Sequence, residues 1–149
     1  MAFLVPDLLD TNIFVHLVRD DAIGQRLKRE RQLLLTNIVP AYCVVTEGEI
    51  RSLALQFNWG EDKVDQMEYL LDYFSSISIE TREIMRAYAV IDARSKITGI
   101  TMGKNDAWIA AAAHDSGFEL LTTDHDFDHL QGIFLSRTRI HIEREDVEA

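Results

Sequence analysis

Cysteine is almost missing from this chain: Cys43 is the only one, so no disulfide can form within it. No pair of Cys or His residues has the spacing of zinc ligands, and a lone thiol fits a reducing compartment. Long hydrophobic runs are missing too. The longest charge-free stretch, Gln32 to Thr46, contains Thr36, Asn37 and Pro40 and falls short of the ~20 apolar residues that span a bilayer. The first basic residue is Arg19, so the N-terminus lacks the positive region of a secretory signal. These absences predict a soluble, cytoplasmic protein with no membrane segment. Positive charge is scarce as well. Fifteen Lys and Arg stand against 25 Asp and Glu, a net charge of −10. Taken alone, that balance argues against a nucleic-acid partner, because phosphate binding leaves a basic footprint.

What the chain does have is apolar surface to bury. Hydrophobic residues make up 47% of its 149 positions, enough for one core in a chain that buries roughly 70% of its unfolded surface. No linker, low-complexity tract or internal repeat divides it, so residues 1–149 are expected to form a single domain. With two prolines and seven glycines, long helices are expected.

Leu8-Leu9-Asp10 is a short apolar run followed by the cap-type pair Thr11-Asn12 and then Ile13-Phe14-Val15, which predicts a buried strand ending at Asp10 and a helix after it. A second helix is expected over Ala22 to Leu33, with Arg26, Lys28, Arg29 and Arg31 toward solvent. Ile38 to Val44 is rich in strand formers, and a helix follows from about Val45, where Ile50, Leu53, Ala54 and Phe57 fall on one face. Val64, Met67, Leu71 and Phe74 repeat that spacing in an acidic helix opened by Gly60-Glu61-Asp62. Ser76 to Glu80 alternates like a strand, and Thr81 to about Lys96 is helical, stopping near Gly99. Asn105 is expected to cap a helix reaching Gly117, whose apolar run Ala107 to Ala113 must be largely buried. Glu119 to Thr123 and Arg139 to Ile142 complete the strands. Alternating strands and helices predict an α/β fold with a mostly parallel central sheet between helical layers.

In such a sheet, ligands bind beyond the carboxyl ends of the strands. Asp10 and Asp124 stand at two predicted strand ends, and Asp106 lies in the first turn of the most buried helix, where the helix dipole favours negative charge. Glu47 or Glu49 supplies a fourth acid; helical geometry alone puts them on opposite edges of the apolar stripe and does not choose. Each of these aspartates alone reads most simply as a helix cap. Their convergence on one rim is different, since several carboxylates in one cleft repel each other unless a cation neutralises them. Oxygen ligands without His or Cys point to Mg²⁺ or Mn²⁺, which would activate water and offset charge on a phosphodiester. His125, between two aspartates, reads as an exposed loop residue.

In their order and spacing, four segments resemble the PIN-domain nucleases, and among them the VapC toxin ribonucleases of toxin–antitoxin pairs. They are Leu8-Leu9-Asp10-Thr11-Asn12, Thr46-x-x-Glu49-Ile50, Gly103-Lys104-Asn105-Asp106-Ala107-Trp108-Ile109-Ala110-Ala111 and Leu121-Thr122-Thr123-Asp124-x-Asp126-Phe127. The resemblance implies a three-layer α/β/α fold and a metal-dependent endoribonuclease. Its catalytic and metal-binding acids would be Asp10, Glu49, Asp106 and Asp124, with Glu49 favoured over Glu47 by the Thr-x-x-Glu pattern. Asp126 matches a further acidic position, and Thr11, Asn12 and Thr123 match polar positions that orient carboxylates or the scissile phosphate. Also implied are an RNA substrate, a cognate antitoxin and a homodimer. Toxins of this kind often carry more basic residues than this chain, and some PIN proteins process RNA without an antitoxin. A phosphatase or phosphotransfer domain also places an Asp at a strand end, but the only Asp-x-Asp triplet, Asp124-His125-Asp126, comes late in the chain, and no strand ends in the Lys of a receiver domain. An interaction module using the fold without the chemistry would have no reason to take up Mn²⁺.

Overall fold

Leu8 and Leu9 are both fully buried, and because successive side chains of a strand point to opposite faces, a strand carrying both must be covered on each side. The same holds for Leu120 and Leu121, and for Tyr42 between Ala41 and Cys43. These residues sit in β1 (Asp7–Leu9), β4 (Glu119–Thr122) and β2 (Ala41–Cys43). In the computed structural model, which describes residues 4–34 and 37–148, β3 (Ser75–Ile77) and β5 (Ser136–Arg139) flank them. The sheet has the order β3-β2-β1-β4-β5 and every pairing is parallel. Leu8 aligns with Ala41 on one side and Leu120 on the other.

Helices α1 (Thr11–Arg19) and α2 (Ala22–Arg31) connect β1 to β2, and α3 (Val44–Gln56) and α4 (Glu61–Tyr73) connect β2 to β3. Their apolar residues meet Leu9, Tyr42 and Leu121, with Phe14 edge-on to Tyr42 and Phe74 at 5.5 and 5.8 Å. The opposite face, Leu8, Ala41, Cys43 and Leu120, is covered by α5 (Arg82–Ile97) and α6 (Lys104–Ser116). A 3₁₀ turn (Asp128–Leu130) and the short α7 (Arg144–Glu148) complete the chain. The three layers and the parallel sheet agree with the α/β expectation. Strand order reverses direction at β1, so the crevice for a ligand lies at the carboxyl ends of β1 and β4.

The sequence misplaces several boundaries: β2 and β3 are shorter than the expected Ile38 to Val44 and Ser76 to Glu80. The last strand is Ser136–Arg139, earlier than the expected Arg139 to Ile142, because an edge strand carries polar side chains: Ser136 and Thr138 both donate to Glu119, at 2.6 and 3.1 Å. Gly103, not Asn105, caps α6, which moves Asn105 into its first turn. The second helix ends at Arg31, with Gln32 in the left-handed conformation, rather than at Leu33. Among the described residues, no helix is long and apolar enough to cross a membrane.

Candidate active site

Asp10 follows directly on β1 and caps α1, its Oδ1 accepting from the Thr11 amide at 2.8 Å. The capping expected of Thr11-Asn12 is thus performed by Asp10 itself. Its Oδ2 accepts from the Thr122 hydroxyl at 2.7 Å, and the carboxylate is only 2% exposed. Thr122 also accepts from the Asp124 amide at 3.0 Å, so one buried hydroxyl at the end of β4 links two of the predicted acids.

Glu49 reaches the same cleft from α3. Its Oε1 accepts from the Thr11 hydroxyl at 2.7 Å, and the fully buried Thr46 hydroxyl bonds to Thr11 at 3.0 Å. Glu47 turns the other way, into an ion pair with Arg51 at 2.9 Å. Asp106, in the first turn of α6, has no hydrogen-bond partner for its carboxylate among the described residues. Asn12 accepts from the Thr123 amide at 3.3 Å and so ties α1 to the loop after β4. Asp10, Glu49, Asp106 and Asp124 line one cleft of about 380 Å³. Its walls are α1, through Asn12, Val15, His16 and Arg19, and α3, through Leu53 and Phe57.

Asp126 is exposed on the rim and is not part of that lining, yet its charge acts on Asp106 and Asp124. His125 is exposed and pairs with Asp128 at 2.9 Å. Thr123 contributes its backbone amide, whereas the hydroxyl contact belongs to Thr122. Nothing in the sequence assigns Thr122 or Thr46 a role of its own; their only signal is that they lie within the Leu-Thr-Thr-Asp and Thr-x-x-Glu segments.

The electrostatics are those of crowded, poorly solvated carboxylates. Burial raises Asp10 to about 7 against the opposing hydrogen bond from Thr122, and Asp106 and Asp124 add to the rise. Asp106 is raised to about 6, again chiefly by burial and then by Asp126, Glu49 and Asp124. Asp124 is also raised, by burial and by Asp126. Among the described residues, no three His, Cys, Asp or Glu side chains are drawn together closely enough to hold an ion as they stand. The donor set itself is all oxygen and in excess of negative charge, which fits a hard divalent cation rather than zinc.

Solved structures share this architecture. VapBC2 from Rickettsia felis, bound to a DNA fragment from their promoter, is similar with a TM-score of 0.74 and 18% identity, covering 91% of this chain and 98% of that one. VapBC-1 from nontypeable Haemophilus influenzae gives 0.70 and 23%, over 91% and 98%. FitAcB from Neisseria gonorrhoeae gives 0.70 and 20%, over 89% and 96%. No curated protein matches the chain. The sequence pattern of the PIN domain family matches residues 8–133, a span that runs from β1 past Asp124 and takes in all four acids of the cleft. The chain therefore belongs to the PIN domain family.

Proposed function

We propose that this protein is a Mg²⁺- or Mn²⁺-dependent endoribonuclease and the toxin of a VapBC-type pair, acting in the cytoplasm. The observation that carries the nuclease reading is the delivery of Asp10, Glu49, Asp106 and Asp124 by separate elements to one cleft, where two of them are raised to about 7 and about 6. These four carboxylates would hold one or two ions, with Asp126 adding charge at the rim. When bound, such an ion lowers the pKa of water and offsets charge on the phosphate.

The chain's own part is orientation. Thr122 and the Thr11 amide fix both oxygens of Asp10, and Thr11, steadied by Thr46, holds Glu49. Asn12 holds the loop that carries Asp124. No side-chain nucleophile is required, and attack by water gives 5′-phosphate and 3′-hydroxyl ends. A phosphatase would accept a small monoester in the same cleft; RNA end mapping separates the two.

The test is incubation of the purified protein with a panel of cellular RNAs in Mg²⁺ or Mn²⁺. Wild type is expected to cut internally and EDTA to stop it. Asp106→Asn keeps the shape and removes a ligand charge, and is expected to lower the rate by at least about 100-fold, a loss of several kcal/mol of charge stabilisation. Cleavage by Asp106→Asn at the wild-type rate would sink the assignment. The antitoxin partner rests on likeness to toxin–antitoxin structures, and the homodimer on the sequence resemblance to the VapC toxins. A short adjacent gene whose product co-purifies with this chain and blocks cleavage is the expected sign of the partner.

A further inference from the structure

The two walls of the acidic cleft have a common geometry. Along α1 the lining residues Asn12, Val15, His16 and Arg19 follow i, i+3, i+4, i+7, and along α3 Glu49, Leu53 and Phe57 follow i, i+4, i+8. At a rise of ~1.5 Å per residue, each stripe runs about 10–12 Å from the acids. Both end at one place, where the Arg19 guanidinium lies over the Phe57 ring at 5.1 Å. From this juxtaposition we infer that Arg19 and Phe57 form a subsite for single-stranded RNA, Phe57 stacking an unpaired base and Arg19 holding a phosphate, about two nucleotides from the hydrolysed bond. The inference rests on the ribonuclease reading and names how that substrate is held.

The ring is in the wrong place for a core residue and the right one for a ligand. Phe57 ends the apolar stripe of α3, yet it is 52% exposed while Ile50 and Ala54 of the same stripe are buried. Its backbone is fixed, the amide donating to the Leu53 carbonyl at 2.9 Å. Arg26, Lys28, Arg31 and Arg51 are each paired with a carboxylate. Arg29 and Lys104 have no such partner among the described residues, and neither does Arg19. It is also the only Lys or Arg lining the cleft among them. At the end of α1 it complements the helix dipole, but that requires no aromatic beneath it. An aromatic face that every base can stack on, beside a guanidinium, is the usual equipment for single strands.

The experiment is titration of hexauridylate into the whole protein in Ca²⁺, which takes the same oxygen ligands, at several salt concentrations. Phe57→Ala is expected to weaken binding about tenfold, and Phe57→Trp to restore it. Arg19→Ala is expected to flatten the slope of log K against log salt by about 0.7, the loss of one single-strand phosphate contact, while Phe57→Ala leaves that slope alone. An abasic hexamer should not distinguish Phe57→Ala from wild type. Should Phe57→Ala fold poorly, the added fluorescence of Phe57→Trp is expected to be quenched by hexauridylate and not by the abasic strand. Wild-type affinity in Phe57→Ala or an unchanged salt slope in Arg19→Ala would each overturn the subsite. Cleavage failing while hexauridylate binding depends on Arg19 and Phe57 overturns the ribonuclease reading alone.

Discussion

Asp10 is a carboxylate with both oxygens hydrogen-bonded that is nonetheless raised to about 7, so burial outweighs two donors. Its folded value lies above the ~3.9 of an unfolded Asp. The folded protein therefore binds this proton more tightly, and the stability it confers is complete below pH 4 and lost as pH rises to about 7. Asp10→Asn removes the ionisation. In EDTA, urea denaturation is expected to show the variant gaining on wild type from pH 4 to pH 7 and holding a constant lead above. The linkage ceiling is about 4 kcal/mol, reduced by whatever the amide loses against Thr122. Parallel stability curves for the two proteins would contradict it. Mn²⁺ should close the gap by stabilising wild type more. The identity of Asp10 was legible in the sequence because a strand end followed by a cap is a local signal. Thr122 and Thr46 were not: a buried Thr in a strand or helix looks like any β-branched residue until tertiary pairing brings it to Asp10 or Thr11.

The cleft wall formed by α1 depends on how closely α2 packs behind it. A methyl group built on Gly24 would stand 2.1 Å from the His16 carbonyl oxygen and 2.8 Å from its carbon, both backbone atoms that cannot yield. Asp21 adds to the clasp, accepting from the Gly24 amide at 2.9 Å while its other oxygen meets His16 Nδ1 at 2.7 Å. Gly24→Ala must push the helices apart and is expected to cost roughly 2 kcal/mol or more, read as a lower urea midpoint. Gly48, inside α3, has nothing within 4 Å of such a methyl, so Gly48→Ala is expected to stabilise by up to about 1 kcal/mol. Equal effects at the two sites would refute the packing argument. This contrast was invisible in the sequence, where both are single glycines in helical patterns. Elements whose signal is periodic, such as α4 and the buried Ala107 to Ala113 run of α6, were legible, whereas β5 was not. A strand of Ser136, Arg137, Thr138 and Arg139 has no apolar alternation, and its position is set by pairing with β4 and by the Glu119 hydrogen bonds.

At the scale of the whole molecule, a net charge of −10 and an acidic cleft must repel a polyanion until cations enter. Most of the basic residues between α1 and α3 offer no relief, since Arg26, Lys28 and Arg31 are tied to Asp146, Asp20 and Asp7. A net negative charge does not by itself exclude a nucleic-acid partner, because a sum over the surface says nothing of which charges are already spent on each other or which would be neutralised by an ion. The consequence is a change of sign. In EDTA, repulsion between protein and RNA is screened by salt over a Debye length of about 10 Å at 0.1 M, so the weak affinity for hexauridylate is expected to rise or stay level as salt increases. If Ca²⁺ fills the cleft next to Arg19, counterion release governs, and affinity is expected to fall with salt at about 0.7 per phosphate held. Titrations across salt in the two conditions compare the slopes directly. A slope in EDTA as steeply negative as in Ca²⁺ would mean that RNA is held by a basic surface away from the acids, and the cleft would no longer be where the strand binds.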